Sequence, residues 1–129
     1  MLRNGILNPA LLSLIARVRH TNTLVIADRG FPYWPQIETV DLALVDGIPS
    51  VLDVLGALRG HGIYGQAWMA AEFVPNNATA TQQKFRAALD GIPLAYEPHV
   101  EFKKRVPSAI GLIRTGETVP YANMILESA

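Results

Sequence analysis

Along this chain, short continuous apolar runs alternate with stretches where apolar residues return every three or four positions, and Gly, Pro and Asn mark most of the joins. The first helical spacing is "NPALLSLIARVR" (8–19), in which Asn8 can cap, Pro9 suits the first turn, and Leu11, Leu12, Ile15, Ala16 and Val18 form one stripe. It predicts a helix with His20 at its carboxyl end. "TLVIA" (23–27) is a run of strand type closed by Asp28, Arg29 and Gly30. "FPYWPQ" (31–36) reads as a rigid loop, because Pro32 and Pro35 each remove a backbone donor. "TVDLALV" (39–45) predicts a second strand and "DGIPS" (46–50) a turn. Ser50 and Asp53 then make an S-x-x-D cap for a helix over "VLDVLGAL" (51–58).

"GIYGQAWMAAEF" (62–73) reads as a third strand, with its alanines leaving a helix open; "PNNAT" (75–79) is a loop and "ATQQKFRAALD" (80–90) an amphipathic helix stopped by Gly91. A strand at "IPLAYE" (92–97), a helix at "HVEFKKRV" (99–106) closed by Pro107, a strand at "AIGLIRT" (109–115) and a last strand at "PYANMILES" (120–128) complete the pattern. Such alternation predicts an α/β fold: one domain over 1–129, with three α/β/α layers around a mostly parallel or mixed sheet.

Composition narrows the function classes. A chain of 129 residues can bury one real core, and 50% hydrophobic against 17% charged residues is apolar for a lone small domain, so a homo-oligomer is expected. Eleven basic and eleven acidic residues cancel, and "FKKR" (102–105) is too short to form the electrostatic footprint of a nucleic-acid binder. The absence of cysteine excludes disulfides and thiolate metal sites and suits a reducing cytoplasm. No apolar run approaches the ~20 residues of a membrane span, and "MLRNGILNPALL" breaks the pattern of a signal peptide, so a soluble, intracellular protein is expected.

Candidate chemistry gathers around "VRHTNTLVIADRGFP" (18–32), where His20 and Asp28 bracket a short apolar strand. Ligands of α/β sheets sit beyond the carboxyl ends of strands, which is where Asp28 falls. Asp28 reads equally as a turn aspartate, and His20 as a helix-ending residue facing free carbonyls. For both to serve one pocket, His20 must arrive through loop geometry or from a neighbouring subunit. His99 opens a short helix with Lys103 one turn on, the pair sharing a face. Tyr121 and Asn123, at i and i+2, point the same way if the last strand begins there. His61, between glycines, reads as a loop residue without a role.

A metal reading from His20, Asp28 and His99 finds no H-x-x-x-H or H-x-H spacing to support it. No G-x-G-x-x-G, G-x-x-x-x-G-K-[ST] or G-x-S-x-G occurs, so dinucleotide, P-loop and serine-hydrolase chemistries lack their usual signals.

Together, "GILNPALLSLIARVRHTNTLVIADRGFP", "IETVDLALVDGIPSVLDVLGAL", "HVEFKKRV" and "LIRTGETVPYANMIL" resemble the D-ribose pyranase and L-fucose mutarotase family, from about residue 4 to residue 126. The resemblance implies a cofactor-free, metal-free enzyme that interconverts ring forms of a free monosaccharide and assembles as a ring-shaped homo-oligomer, commonly a decamer. By the same resemblance, His20 matches the catalytic acid/base, and Asp28, His99, Lys103, Tyr121 and Asn123 fall where the ribose enzymes contact sugar. His99 favours the ribose branch. The chain departs from the pattern at Arg29, where ribose enzymes tend to carry a small residue, at the bulky Tyr33 and Trp34, and in a short region between 74 and 95.

The residue types suit the chemistry. Opening a pyranose removes a proton from the anomeric hydroxyl and delivers one to the ring oxygen; another hydroxyl can then close the aldehyde to a furanose. A histidine titrating near neutrality both gives and takes protons. Alternatives are a fucose-type mutarotase, a non-catalytic sugar-binding or transport-associated protein, and a metal-dependent enzyme.

Overall fold

The strand TLVIA occupies the middle of the molecule: Leu24, Val25, Ile26 and Ala27 are all fully buried, which requires cover on both faces of the sheet. The computed structural model describes residues 1–129. Its strands are β1 (Thr23–Ala27), β2 (Glu38–Asp41), β3 (Tyr64–Ala70), β4 (Leu94–Glu97), β5 (Gly111–Arg114) and β6 (Met124–Ser128). Its helices are α1 (Pro9–Ile15), α2 (Val51–Arg59), α3 (Thr79–Leu89) and α4 (His99–Arg105), with 3₁₀ turns at Ala71–Phe73 and Val106–Ser108. The six strands form one mixed sheet in the order β2-β5-β1-β6-β3-β4.

Side chains alternate across β1 as the two-residue period demands. Leu24 and Ile26 join the larger core, with Leu11 and Leu14 of α1, Leu55 and Leu58 of α2 and Phe85 of α3. Val25 and Ala27 face the smaller core, with Phe31, Phe102 and Val106. The expected three-layer α/β/α arrangement is thus present.

Direction within the sheet positions the site. β1 runs parallel to β5, β5 to β2, and β3 to β4, while β6 is antiparallel to both β1 and β3. Five carboxyl ends therefore share one edge of the sheet, and the start of β6 joins them there.

Local capping accounts for the helix starts. Asn8 accepts a hydrogen bond from the Leu11 N–H at 2.9 Å, and Ser50 and Asp53 form the reciprocal capping box at the head of α2. Helix α3 ends through Asp90 and Gly91, both at positive φ.

Four boundaries differ from the sequence reading. Helix α1 stops at Ile15, so His20 lies on an exposed turn rather than at a helix end. Arg19 donates there to the carbonyls of Ala16 and Val18, both at 2.8 Å, and Asn22 accepts from the Arg19 N–H, side-chain bonds that replace another helical turn. Strand β2 ends at Asp41, whose carboxylate takes the Ala43 N–H, and residues 42–49 leave the sheet as a hairpin. The third strand ends at Ala70 and continues as a 3₁₀ turn. The last strand starts at Met124 because Tyr121 sits at φ +57°, outside strand geometry.

Candidate active site

Asp28 leaves β1 into a turn that its own side chain builds, with Oδ1 accepting the Gly30 N–H at 2.9 Å. Asn123, arriving on the chain that leads into β6, accepts the Asp28 N–H at 2.7 Å and donates through Nδ2 to Asp28 Oδ2 at 3.1 Å. Asp28 is therefore the turn residue that the sequence allowed, and its carboxylate is held at the edge of a cleft. Each carboxylate oxygen has accepted one hydrogen bond and keeps capacity for another.

Two residues at the carboxyl end of β1's neighbour β5 reinforce this turn. Arg114 donates to the Phe31 carbonyl at 2.6 Å, and Thr115 Oγ1 to the Ala27 carbonyl at 2.8 Å. The buried Glu117 carboxylate accepts the N–H groups of Val51, Thr118 and Val119, each at 3.0 Å, so its charge is compensated by three donors.

His99 enters from the end of β4. Its N–H donates to both oxygens of Glu72, at 2.9 and 3.1 Å. Its ring stands edge-on to Tyr121, with centroids 5.3 Å apart, and lies beside Phe31 and Phe102. Nε2 is buried without a protein partner. Burial, and then the nearby Lys103 ammonium, push the imidazole below its ordinary 6.5, while Glu72 and Asp28 pull the other way. At neutral pH the ring is uncharged and able to accept a proton.

Asp28, His99, Tyr121 and Asn123 line one open cleft of about 230 Å³, closed at its sides by Gly30, Phe31, Pro32 and Pro120. Lys103 lies one turn along α4 from His99, close enough to act on its charge. Tyr121 and Asn123 share the cleft through a left-handed turn, not through strand alternation.

His20 stands apart from this group. It precedes β1 whereas Asp28 follows it, and the five residues of that strand hold them roughly 17 Å apart along the sheet. Tyr33 is exposed, and Trp34 packs beside Phe31 against the smaller core, so neither supplies an apolar wall to the cleft. Arg29 points to the 42–49 hairpin and pairs with Asp46 at 2.6 Å. No group of three or more His, Asp or Glu side chains converges as a metal site. His61, given no role above, has one: its Nε2 accepts the Ile6 N–H at 3.2 Å and its Nδ1 meets the Ala57 carbonyl at 2.9 Å, fastening the amino-terminal segment to the end of α2.

Glu72, Asn77, Arg114 and Glu117 are the supporting residues that pattern reading passed over. The only local hint was an acidic residue placed just after a strand, in "AAEF".

A protein-family model described as the RbsD / FucU transport protein family matches residues 1–129. A D-ribose pyranase of Laribacter hongkongensis is 42% identical over 128 residues, covering 99% of this chain and 97% of that protein. Another D-ribose pyranase, from Geobacillus thermodenitrificans, is 40% identical, covering 99% and 96%. Among solved structures, Bacillus subtilis RbsD complexed with D-ribose superposes with a TM-score of 0.92 at 33% identity, covering 100% of this chain and 98% of that one. A fucose mutarotase from Streptococcus pneumoniae, in complex with L-fucose, shares the fold with a TM-score of 0.84 at 19% identity, covering 99% and 98%.

Proposed function

The chain belongs to the RbsD / FucU transport protein family, and on that premise we propose that it is an isomerase interconverting the pyranose and furanose forms of D-ribose. One observation carries the reading: the cleft of Asp28, His99, Tyr121 and Asn123 occurs in a chain 33% identical, over its whole length, to a protein solved with D-ribose. The fucose-type and non-catalytic alternatives lack comparable support, since the fucose relative is only 19% identical.

In this reading the whole of 1–129 works as one sugar-handling domain in the cytoplasm, without a cofactor. Asp28, His99, Asn123 and Tyr121 hold sugar hydroxyls through their remaining donor and acceptor positions, His99 through its unpartnered Nε2, with Lys103 at the margin. Ring opening takes a proton from the anomeric hydroxyl and delivers one to the ring oxygen, and closure by a different hydroxyl reverses the exchange. His20 is the acid/base that completes the site, supplied by a neighbouring copy.

Two surfaces support that arrangement. The 42–49 hairpin beside the cleft exposes Leu44, Val45 and Ile48, at 75%, 58% and 55%. At the opposite end, a groove lined by Leu12, Ile15, Val18 and Tyr64 adjoins Ser128, whose carbonyl accepts the Thr21 N–H next to His20. Head-to-tail packing of hairpin into groove brings one copy's His20 toward the next copy's cleft, and repetition of such a heterologous contact closes a ring.

The test is saturation-transfer NMR on free sugars. D-ribose should exchange between pyranose and furanose faster with the protein than without it, and L-fucose should not. Acceleration of L-fucose alone places the chain in the other branch, and acceleration of neither sugar removes the catalytic reading.

A further inference from the structure

The cleft is braced from one short segment that takes no part in the proton transfers described above. After β3 the chain passes through the 3₁₀ turn Ala71–Phe73 and a brief loop into α3. From this turn Glu72 presents both carboxylate oxygens to the His99 N–H. Helix α4 has no side-chain cap of its own, because its N-cap residue is Pro98. Five residues on, Asn77 Nδ2 donates to the carbonyls of Phe73 at 2.8 Å and Pro120 at 2.9 Å. The same segment thereby anchors the His99 backbone and the turn that carries Tyr121, the two rings that meet edge-on in the cleft.

Resting on the ring-interconversion reading, we propose that Glu72 is a positioning residue for that reaction, acting through His99. It fixes where the imidazole stands against Tyr121, and its negative charge lets that ring carry a proton beside a cation. The charges facing His99 are Lys103 from its own helix, Asp28 from the turn after β1 and Glu72 from the turn after β3, with the Tyr121 phenol opposite. Lys103 opposes protonation of the ring; Glu72 and Asp28 favour it. Asp28 is already bonded to Gly30 and Asn123, so Glu72 is the carboxylate whose main partner is His99 itself.

A purely structural cap would hold the His99 N–H without its charge mattering to the reaction, and Glu72→Gln separates the two through the exchange rate. Glutamine keeps an acceptor for the His99 N–H and removes the charge. In Glu72→Gln the His99 titration, followed through its ring-nitrogen resonances, should move to lower pH, and the acid limb of the D-ribose exchange rate should move with it. Glu72→Ala should also slow exchange by about 10²-fold, the cost of a misplaced contact on the reacting sugar, with a smaller loss of calorimetric affinity for D-ribose. The proposal is overturned if Glu72→Gln leaves the acid limb unmoved, whether or not the His99 titration shifts, or if Glu72→Ala lowers thermal stability and nothing else. If the wild-type protein does not accelerate D-ribose exchange, the functional reading falls, and the His99 titration in Glu72→Gln still decides whether Glu72 governs that ring.

Discussion

Asn123 grips Asp28 at two points, accepting its backbone N–H at 2.7 Å and donating to its carboxylate at 3.1 Å. One amide thus sets both the path of the chain leaving β1 and the direction of the carboxylate. Truncation to Asn123→Ala leaves the Asp28 N–H unpaired in a partly buried place, a loss of about 1–3 kcal/mol. Denaturant melts should show that loss, and calorimetry should show weakened D-ribose binding. Asn123→Asp places a second carboxylate against the first, so its affinity should be worse at pH 8 than at pH 5, where one shared proton restores a donor. Equal affinity at the two pH values would argue against the pairing.

The direction of the His99 shift sets a pH window. Its charged form is disfavoured in the folded protein by burial and by Lys103, so the unfolded chain binds the proton more readily. Stability therefore gains from His99 above the ordinary value of 6.5 and loses that gain as pH falls through the lower folded value. The acid limb of ring exchange should lie below pH 6.5 and vanish in His99→Asn. Lys103→Met removes a charge that lowers the titration, so the limb should move up, opposite in sign to Glu72→Gln. Both variants moving the limb the same way would contradict the charge arrangement described.

His61 is structural. Loss of its ring removes the acceptor of the Ile6 N–H and the bond to the Ala57 carbonyl. His61→Ala should lower the unfolding free energy by about 1 kcal/mol, and because His61 also lines the groove offered to the neighbouring hairpin, any loss of D-ribose exchange should follow the loss of assembled mass. A rate loss larger than the loss of assembled protein would place His61 in the site after all.

What could be read from sequence was local. Asn8, the Ser50–Asp53 box and the Asp90–Gly91 stop act within a few residues, and β1 betrays itself by an unbroken apolar run, so each is visible in a short window. What was missed depends on distant pairing. Asp28 meets Asn123 across 95 positions and Glu72 meets His99 across 27. No window contains such partners, and only the inverted β6 brings the start of its strand to the ends of its neighbours. The overlong strand at 39–45 failed for another reason: its apolar residues Leu44 and Val45 are exposed on the hairpin, where the two-residue pattern carries no information about a sheet.

His20 and Asp28 lie beyond opposite ends of β1, so a site that uses both must draw them from two copies. If one copy supplies His20 and the next supplies Asp28, His20→Ala and Asp28→Ala damage different partners of the same site. Each variant alone should be slower than wild type in D-ribose exchange, by about 10²- to 10⁴-fold for the lost acid/base His20. When the two are unfolded together and reassembled at equal amounts, random head-to-tail neighbours rebuild about one quarter of the sites with both residues present. Exchange in the mixture should rise to about that fraction of the wild-type rate. Leu44→Glu, which charges the exposed hairpin without touching the cleft, should reduce the assembled mass in sedimentation and cost activity in parallel. No recovery in a mixture proved to contain both chains would place His20 outside the shared site and leave proton transfer to His99.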